Sequence, residues 1–340
     1  MMSALEFETG KDGGIFRYGP DHREAETALD ELMDERDSGR LSVARYTGAL
    51  KSLVEKYPTF IDAYSHLGFA LFDQGNWKLA LDTCRQGYSI GESAIPPEFD
   101  GMIEWGWLEN RPFLRAAQGI VLSYKKLGHR REAVALMEQL LRWNPNDNQG
   151  FRFVIGSDYL RSGNNTKATR IMKKEADHYP PYHYELALVD FIAGRNVPAA
   201  TRLRRAFVAN SYIAEILCGM ANPLPLAIWH GSNLAEPQTA LAYVEHCNDL
   251  WHSTPDAIPF LRWLHTHPKV LAERARAHNI KEHLLWEHDI QKRQKLIDQE
   301  ERLMADIDDT LSKEIVVKRH DRYNRPIEPW LYPVTRSGVQ

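Results

Sequence analysis

Apolar residues recur along most of this chain at helical spacing, and from Leu114 to Tyr182 the pattern repeats itself. Ile120, Tyr124, Gly128, Ala133, Met137 and Pro145 stand at set intervals, and Ile155, Tyr159, Gly163, Ala168, Met172 and Pro180 follow at a constant offset of 35 residues. Each segment reads as a helix, a glycine, a second helix and a proline, the grammar of a helical hairpin. Glycine takes the left-handed conformation without a steric penalty, so Gly128 and Gly163 are expected to close the first helices where the chain reverses. Ala133 and Ala168 let each second helix lie close to the first. Proline lacks the amide hydrogen and clashes with the preceding turn, so Pro145 and Pro180 stop those second helices.

The register extends both ways. Upstream, Tyr64, Leu67, Gly68, Leu71, Gly75, Ala80 and Cys84 match it; downstream, Leu186, Ala187, Gly194, Ala199, Leu203 and Ala206 match after a shorter step of 31 residues from Gly163 to Gly194. A further copy around Ala28 to Pro58 places Leu50, Leu53 and Val54 on one helical face but lacks a clean register. The interval and the Leu/Gly/Tyr, Ala and Pro positions resemble the tetratricopeptide repeat. That resemblance implies an all-α, TPR-like α-solenoid of antiparallel helix pairs, each stacked on its neighbours. Residues 1–20, broken by Gly10, Gly13, Gly14, Gly19 and Pro20, are expected to be a flexible tail. The array is expected over 21–215 with an insertion at 91–112, followed by a helical cap over 216–313. Residues 314–340, with Pro326, Pro329 and Pro333, are expected to be extended, tethered by Trp330 and Tyr332. Ile290, Ile297, Met304 and Leu311 recur every seven residues, but Arg293 and Glu300 interrupt the stripe, which favours a helix folded back on the array over a coiled coil.

A closer resemblance rests on NRPFLRAAQGIVLSYKKLGHRREAVALMEQLLRWNPNDNQG, followed by LRRAFVANSYIAEIL and LAYVEHCNDLWHSTPDAIPFLRWL. Over Arg111 to Leu264 the chain is similar to the tetratricopeptide-containing relatives of the suppression-of-tumorigenicity-seven family. Animal members of that family are membrane proteins without a known catalytic activity. This chain departs from them, because no stretch approaches ~20 uninterrupted apolar residues. The resemblance implies a helical repeat protein and carries over no catalytic residue.

Charge and motifs narrow the chemistry. With a net charge of −4 and a pI near 6.4, no global basic field recruits nucleic acid or an anionic membrane. No signal-like apolar run opens the chain, so a cytoplasmic protein is expected. Cys84, Cys218 and Cys247 read as buried thiols. His278, His283 and His288 are five residues apart and turn away from one another on a helix. HExxH, GxSxG and the Gly-rich phosphate loop are absent from the sequence, so no catalytic residue, metal or cofactor is assigned. Asp62, Asp73 and Asp82 read as solvated carboxylates.

In the repeat class this chain resembles, the first helix of each pair lines a concave groove. Carrying that register over places Phe69 and Phe72 there, then Arg115, Gln118, Leu122, Lys125 and Lys126, then Phe153, Leu160 and Arg161, then Tyr184, Leu188 and Phe191. Aromatic anchors alternating with cations suit an acidic peptide with apolar side chains. Phe69, Phe153, Tyr184 and Phe191 would anchor it; Arg115, Lys125 and Arg161 would orient it. Ser65 and Phe69 stand where a chaperone-tail clamp needs Lys and Asn. The alternative is that these aromatics pack against the cap or the N-terminal tail and leave no open groove. Trp105 and Trp107 in the insertion either line a second binding site or seal a seam between repeats. A basic set on the second helices, including Arg130, Arg131, Arg202, Arg204 and Arg205, either meets nucleic-acid phosphates or forms a solvated face. The function expected is a non-enzymatic protein-interaction scaffold or adaptor, with a nucleic-acid-associated adaptor as the alternative.

Overall fold

The computed structural model describes residues 5–20 and 22–332; Pro333 and the rest of the expected tail lie outside the described residues. The fold is all-α apart from two short hairpins. Contacts divide it into two compact units, one ending at Asp158 and the other beginning at Tyr159. That division falls inside the stretch the sequence reads as one array.

The first unit is built on helical hairpins: α1 (His22–Asp37) with α2 (Val43–Lys56), α3 (Ile61–Asp73) with α4 (Trp77–Glu92), and α5 (Arg111–Leu127) with α6 (Arg130–Trp143). Close approaches fix their direction. A Cβ at Gly68, Gly87 or Gly91 would meet Cys84, Tyr64 or Ile61 respectively, so α3 and α4 run antiparallel. The same reasoning joins α4 to α5, because Gly119 faces Cys84 and Gly91 faces Phe113. Gly128 has φ 79° and closes α5, and Gly163 has φ 76° after α7 (Ile155–Arg161). The alanines at the close approaches, Ala80 and Ala133, have no exposed surface. Leu29, Tyr46, Leu50, Phe60 and Leu67 fill the core at the α1 end.

Residues 1–20 were expected to be a flexible tail, and the described part is a hairpin instead. β1 (Glu6–Thr9) pairs antiparallel with β2 (Gly14–Arg17), placing Phe7 opposite Phe16. Those rings meet at 4.9 Å, and Phe16 is fully buried against Phe113 at 5.1 Å. The glycines permit this packing as well as breaking helix: a Cβ on Gly14 would stand 2.2 Å from the Phe7 ring. The insertion adds itself alongside, with Gly14 N donating to the Met102 carbonyl at 2.8 Å and Met102 N to the Asp12 carbonyl at 3.1 Å.

The second unit gathers around α10 (Asn196–Ala209), which packs on α9 (Pro181–Ile192), α11 (Ser211–Leu217), α13 (Ala257–His265), α14 (Pro268–Trp286) and α16 (Asp309–Ile315). Also present are α8 (Asn165–Glu175), α12 (Pro237–Ser253) and α15 (Ile290–Asp306). The basic residues of α10, expected on a groove-distal face, are structural. Arg204 is 2% exposed on its side chain and pairs with Glu273 of α14; Arg205 donates to the Ile307 carbonyl at 2.7 and 3.0 Å. The α15 helix buries no residue fully and ends at Asp306, so Met304 is the last residue of the seven-residue stripe on it and Leu311 belongs to α16. Leu303 and Met304 pack on Val208, Ala277 and Ile307. After α16, β3 (Arg319–His320) pairs with β4 (Pro326–Ile327), where extended chain was expected.

Three histidines of this unit fold in the neutral form. Burial lowers His183 to about 4, His265 to about 3 and His278 to about 4. Each folded value lies below the unfolded ~6.5, so the unfolded chain binds more protons between them. The stability they contribute is present above about pH 6.5 and is lost as pH falls toward 4. The melting temperature of the second unit is therefore expected to drop across that window, and His183→Gln to flatten the slope. An unchanged melting temperature from pH 7 to 4 would contradict the burial of neutral imidazoles.

Candidate functional site

In the first unit the first helices of the three hairpins bring a polar cluster together. An i,i+4 pair occupies one face of each of two helices, His22 and Glu26 on α1 and Asp62 and His66 on α3. His22 Nε2 lies 3.2 Å from Glu26 Oε1, and His66 Nε2 lies 3.9 Å from Asp62 Oδ1. From α5, Arg115 Nη1 reaches both Asp62 oxygens at 2.7 and 2.5 Å. Tyr18, just after β2, stacks on His22 at 3.9 Å and donates its hydroxyl to the Glu109 carbonyl at 3.0 Å. Burial pushes both imidazoles below their ordinary value and the Tyr18 phenol above its own. A cavity of about 660 Å³ opens beside the cluster, with Tyr18, His22, Arg23, Glu26, Leu108 and Glu109 on its walls.

The insertion separates its two tryptophans. Trp105 faces inward, with the Arg111 and Arg115 guanidiniums 5.6 and 5.8 Å from its ring. Trp107 faces outward at 50% exposure, and its neighbour Leu108 is 66% exposed. Asn110 fixes their mount. Fully buried, it accepts from Phe16 N at 3.2 Å and donates to the Gly14 and Glu104 carbonyls at 3.0 and 3.2 Å. One side chain thus locks the hairpin, the insertion and the start of α5.

The remaining groove residues do not form the surface their register suggests. Phe69 is half-buried with its ring toward Gly119, and Phe72 is half-buried on the α1–α3 core. Lys125 Nζ is 2.6 Å from Asp158, whose side chain is 4% exposed. Phe153 sits on a 3-10 turn (Phe151–Phe153) instead of an α-helix, under the Arg152 guanidinium at 4.9 Å. The Asp147 carboxylate makes that turn by accepting from Phe151 N and Arg152 N at 2.9 and 2.7 Å. In the second unit Arg161 holds Asp249 through two 2.8 Å bonds and also donates to the His246 carbonyl.

Tyr184 and Phe191 are corrections to the expected groove. Tyr184 has no exposed surface and donates to the Asn210 carbonyl at 2.6 Å. Phe191 stacks on Phe260 at 4.8 Å. Tyr243 and Trp251 of α12 supply apolar area to Tyr184 and Phe260 of α13 supplies it to Phe191, so these aromatics are covered by later parts of the chain. Asp62 is a correction of the opposite kind: its side chain, expected in solvent, is 14% exposed and paired. The register itself carried the signal, since counting back from Phe69 puts Asp62 at the position equivalent to Arg115. Cys84 and Cys247 are buried, and burial raises the Cys84 thiol to about 12; Cys218 is partly exposed.

Among the described residues no three His, Cys, Asp or Glu side chains converge as metal ligands, and no helix is long and apolar enough to cross a membrane. No family model matches this sequence, and no curated protein matches it.

Proposed function

We propose that this chain is a tetratricopeptide-like helical-repeat module that binds another protein and performs no catalysis, with the insertion of the first unit as its docking surface. The observation that carries this reading is the exposed Trp107–Leu108 pair on a mount fixed by buried Asn110. Binding energy at protein interfaces concentrates in aromatic and Arg anchors near the centre of a patch, and a rigid mount lowers the ordering entropy of binding. The neighbouring cavity supplies a recess with polar walls for a partner side chain.

The partner's chemistry follows from what is already neutralised. Arg115, Lys125 and Arg161 each hold an internal carboxylate, so an acidic peptide would have to displace an existing pair at each. An apolar anchor with hydrogen-bonding flanks fits better. A nucleic-acid reading loses Arg204 and Arg205 to internal contacts.

The test compares proteins retained from native lysate by wild type and by Trp107→Ala/Leu108→Ser. Removal of a central anchor costs roughly 2 kcal/mol or more, about 30-fold in affinity. A protein retained by wild type and lost from the variant, with unchanged circular dichroism, supports the reading. Identical retained sets at every salt concentration would discard this surface.

A further inference from the structure

We propose that Phe191, Phe260 and Trp263 form a docking site for an extended, tryptophan-anchored peptide segment, and that residues 328–331 of the chain itself are its resident occupant. This site lies in the second unit and does not depend on the Trp107–Leu108 surface.

The wall joins two helices. Phe191 of α9 and Phe260 of α13 stack at 4.8 Å and 25°, and Trp263 lies 6.1 Å from Phe260. Leu261 and Leu264 on the same helix have no exposed surface and belong to the core of this unit, so α13 has anchors besides the face that carries Phe260. Trp330 then seats on this wall. Its ring is 4.8 Å from Phe260 at 81°, 5.8 Å from Trp263 and 6.3 Å from Phe191. Edge-to-face geometry of this kind contributes beyond the area buried.

The segment carrying Trp330 is held by little else. Among the described residues its other ion pairs and ladder bonds lie within the segment: the β3–β4 ladder, the Arg325–Asp321 pair and the Lys318–Glu328 pair. Val317, Tyr323, Leu331 and Tyr332 are exposed, and among the described residues after Val316 the one large side chain that is buried is Trp330. Glu328 and Tyr332 have extended backbone on either side of the 3-10 turn Pro329–Leu331. One aromatic anchor between extended flanks is the form of a short linear ligand, here supplied in cis. Tethering gives that occupant an effective concentration on the order of mM, so a second segment of the same chemistry competes only when the tether's anchor is weakened.

The probe is a fluorescently labelled synthetic peptide with the sequence of residues 314–332, titrated by anisotropy into the full-length chain. Trp330→Ala is expected to bind it at least ~10-fold more tightly than wild type does. A peptide in which the tryptophan is replaced by alanine is expected not to bind, nor is the original peptide to bind Trp330→Ala/Phe260→Ala. Absence of binding to a Trp330→Ala chain that keeps its helical signal overturns the proposal, as does equal binding of the tryptophan-free peptide. Should Trp330→Ala lose cooperative unfolding, Trp330→Phe decides: affinity above wild type supports the site, and affinity no greater than wild type overturns it.

Discussion

Replacing Arg204 by Ala is expected to destabilise the second unit by ~3–5 kcal/mol, because it leaves a buried carboxylate without its counter-charge. The guanidinium uses its whole fork. Nε and Nη2 bond the Glu273 oxygens at 2.9 and 2.5 Å, and Nη1 donates to the Asp308 carbonyl at 2.7 Å and Ser312 Oγ at 3.0 Å. It therefore joins α10 to α14 and α16 in one set of charge-assisted bonds. Lysine cannot reproduce a planar fork, so Arg204→Lys is expected to lose much of the same stability. A paired Arg204→Met/Glu273→Leu change removes both charges and is expected to recover much of it. Urea unfolding of the four chains measures these differences; a loss below ~1 kcal/mol for Arg204→Ala would show that the pair is not sealed from water.

The second large effect concerns the close approach at Cys84. A Cβ on Gly68 would stand 2.1 Å from Cys84 Sγ, and one on Gly119 would stand 2.4 Å from it. The thiol is fully buried between α3 and α5, so it has nowhere to swing. Alanine normally gains up to ~1 kcal/mol over glycine inside a helix, but overpacking here costs ~1–3 kcal/mol or more. Gly119→Ala is expected to destabilise the first unit, and Cys84→Ala in the same chain to restore most of the loss. The coupling energy of this cycle should exceed ~1 kcal/mol; additive losses would mean that the helices separate easily at this point.

These two sites show different degrees of legibility. Gly68 and Cys84 belong to one repeat copy, and the pattern that identified the copy also predicted a tight seam. Glu273 lies 69 residues from Arg204, and no local period connects them, so α10 read as a solvated basic face. The N-terminal glycines were ambiguous in another way. Glycine signals both a broken helix and a close backbone approach, and only the position of Phe7 beside Gly14 distinguishes the two. Trp105 and Trp107 are equally tryptophan-rich in sequence, yet one lies under two guanidiniums and the other is half exposed.

What the sequence determined by itself is the local grammar: helices at the repeat positions, left-handed glycines at their turns, prolines beyond their ends and alanines where helices touch. Those features depend on residues within a few positions of one another, so the 3.6-residue period and turn chemistry suffice to read them. Tertiary structure decided which helix faces remain open. Arg115, Lys125 and Arg161 meet their carboxylates across 53, 33 and 88 residues, and later parts of the chain cover the aromatics, Trp251 of α12 on Tyr184 and Phe260 of α13 with Trp330 on Phe191. An apolar stripe on a helix states that something must be buried against it; whether that is a partner or the chain's own later segment is set by distant packing.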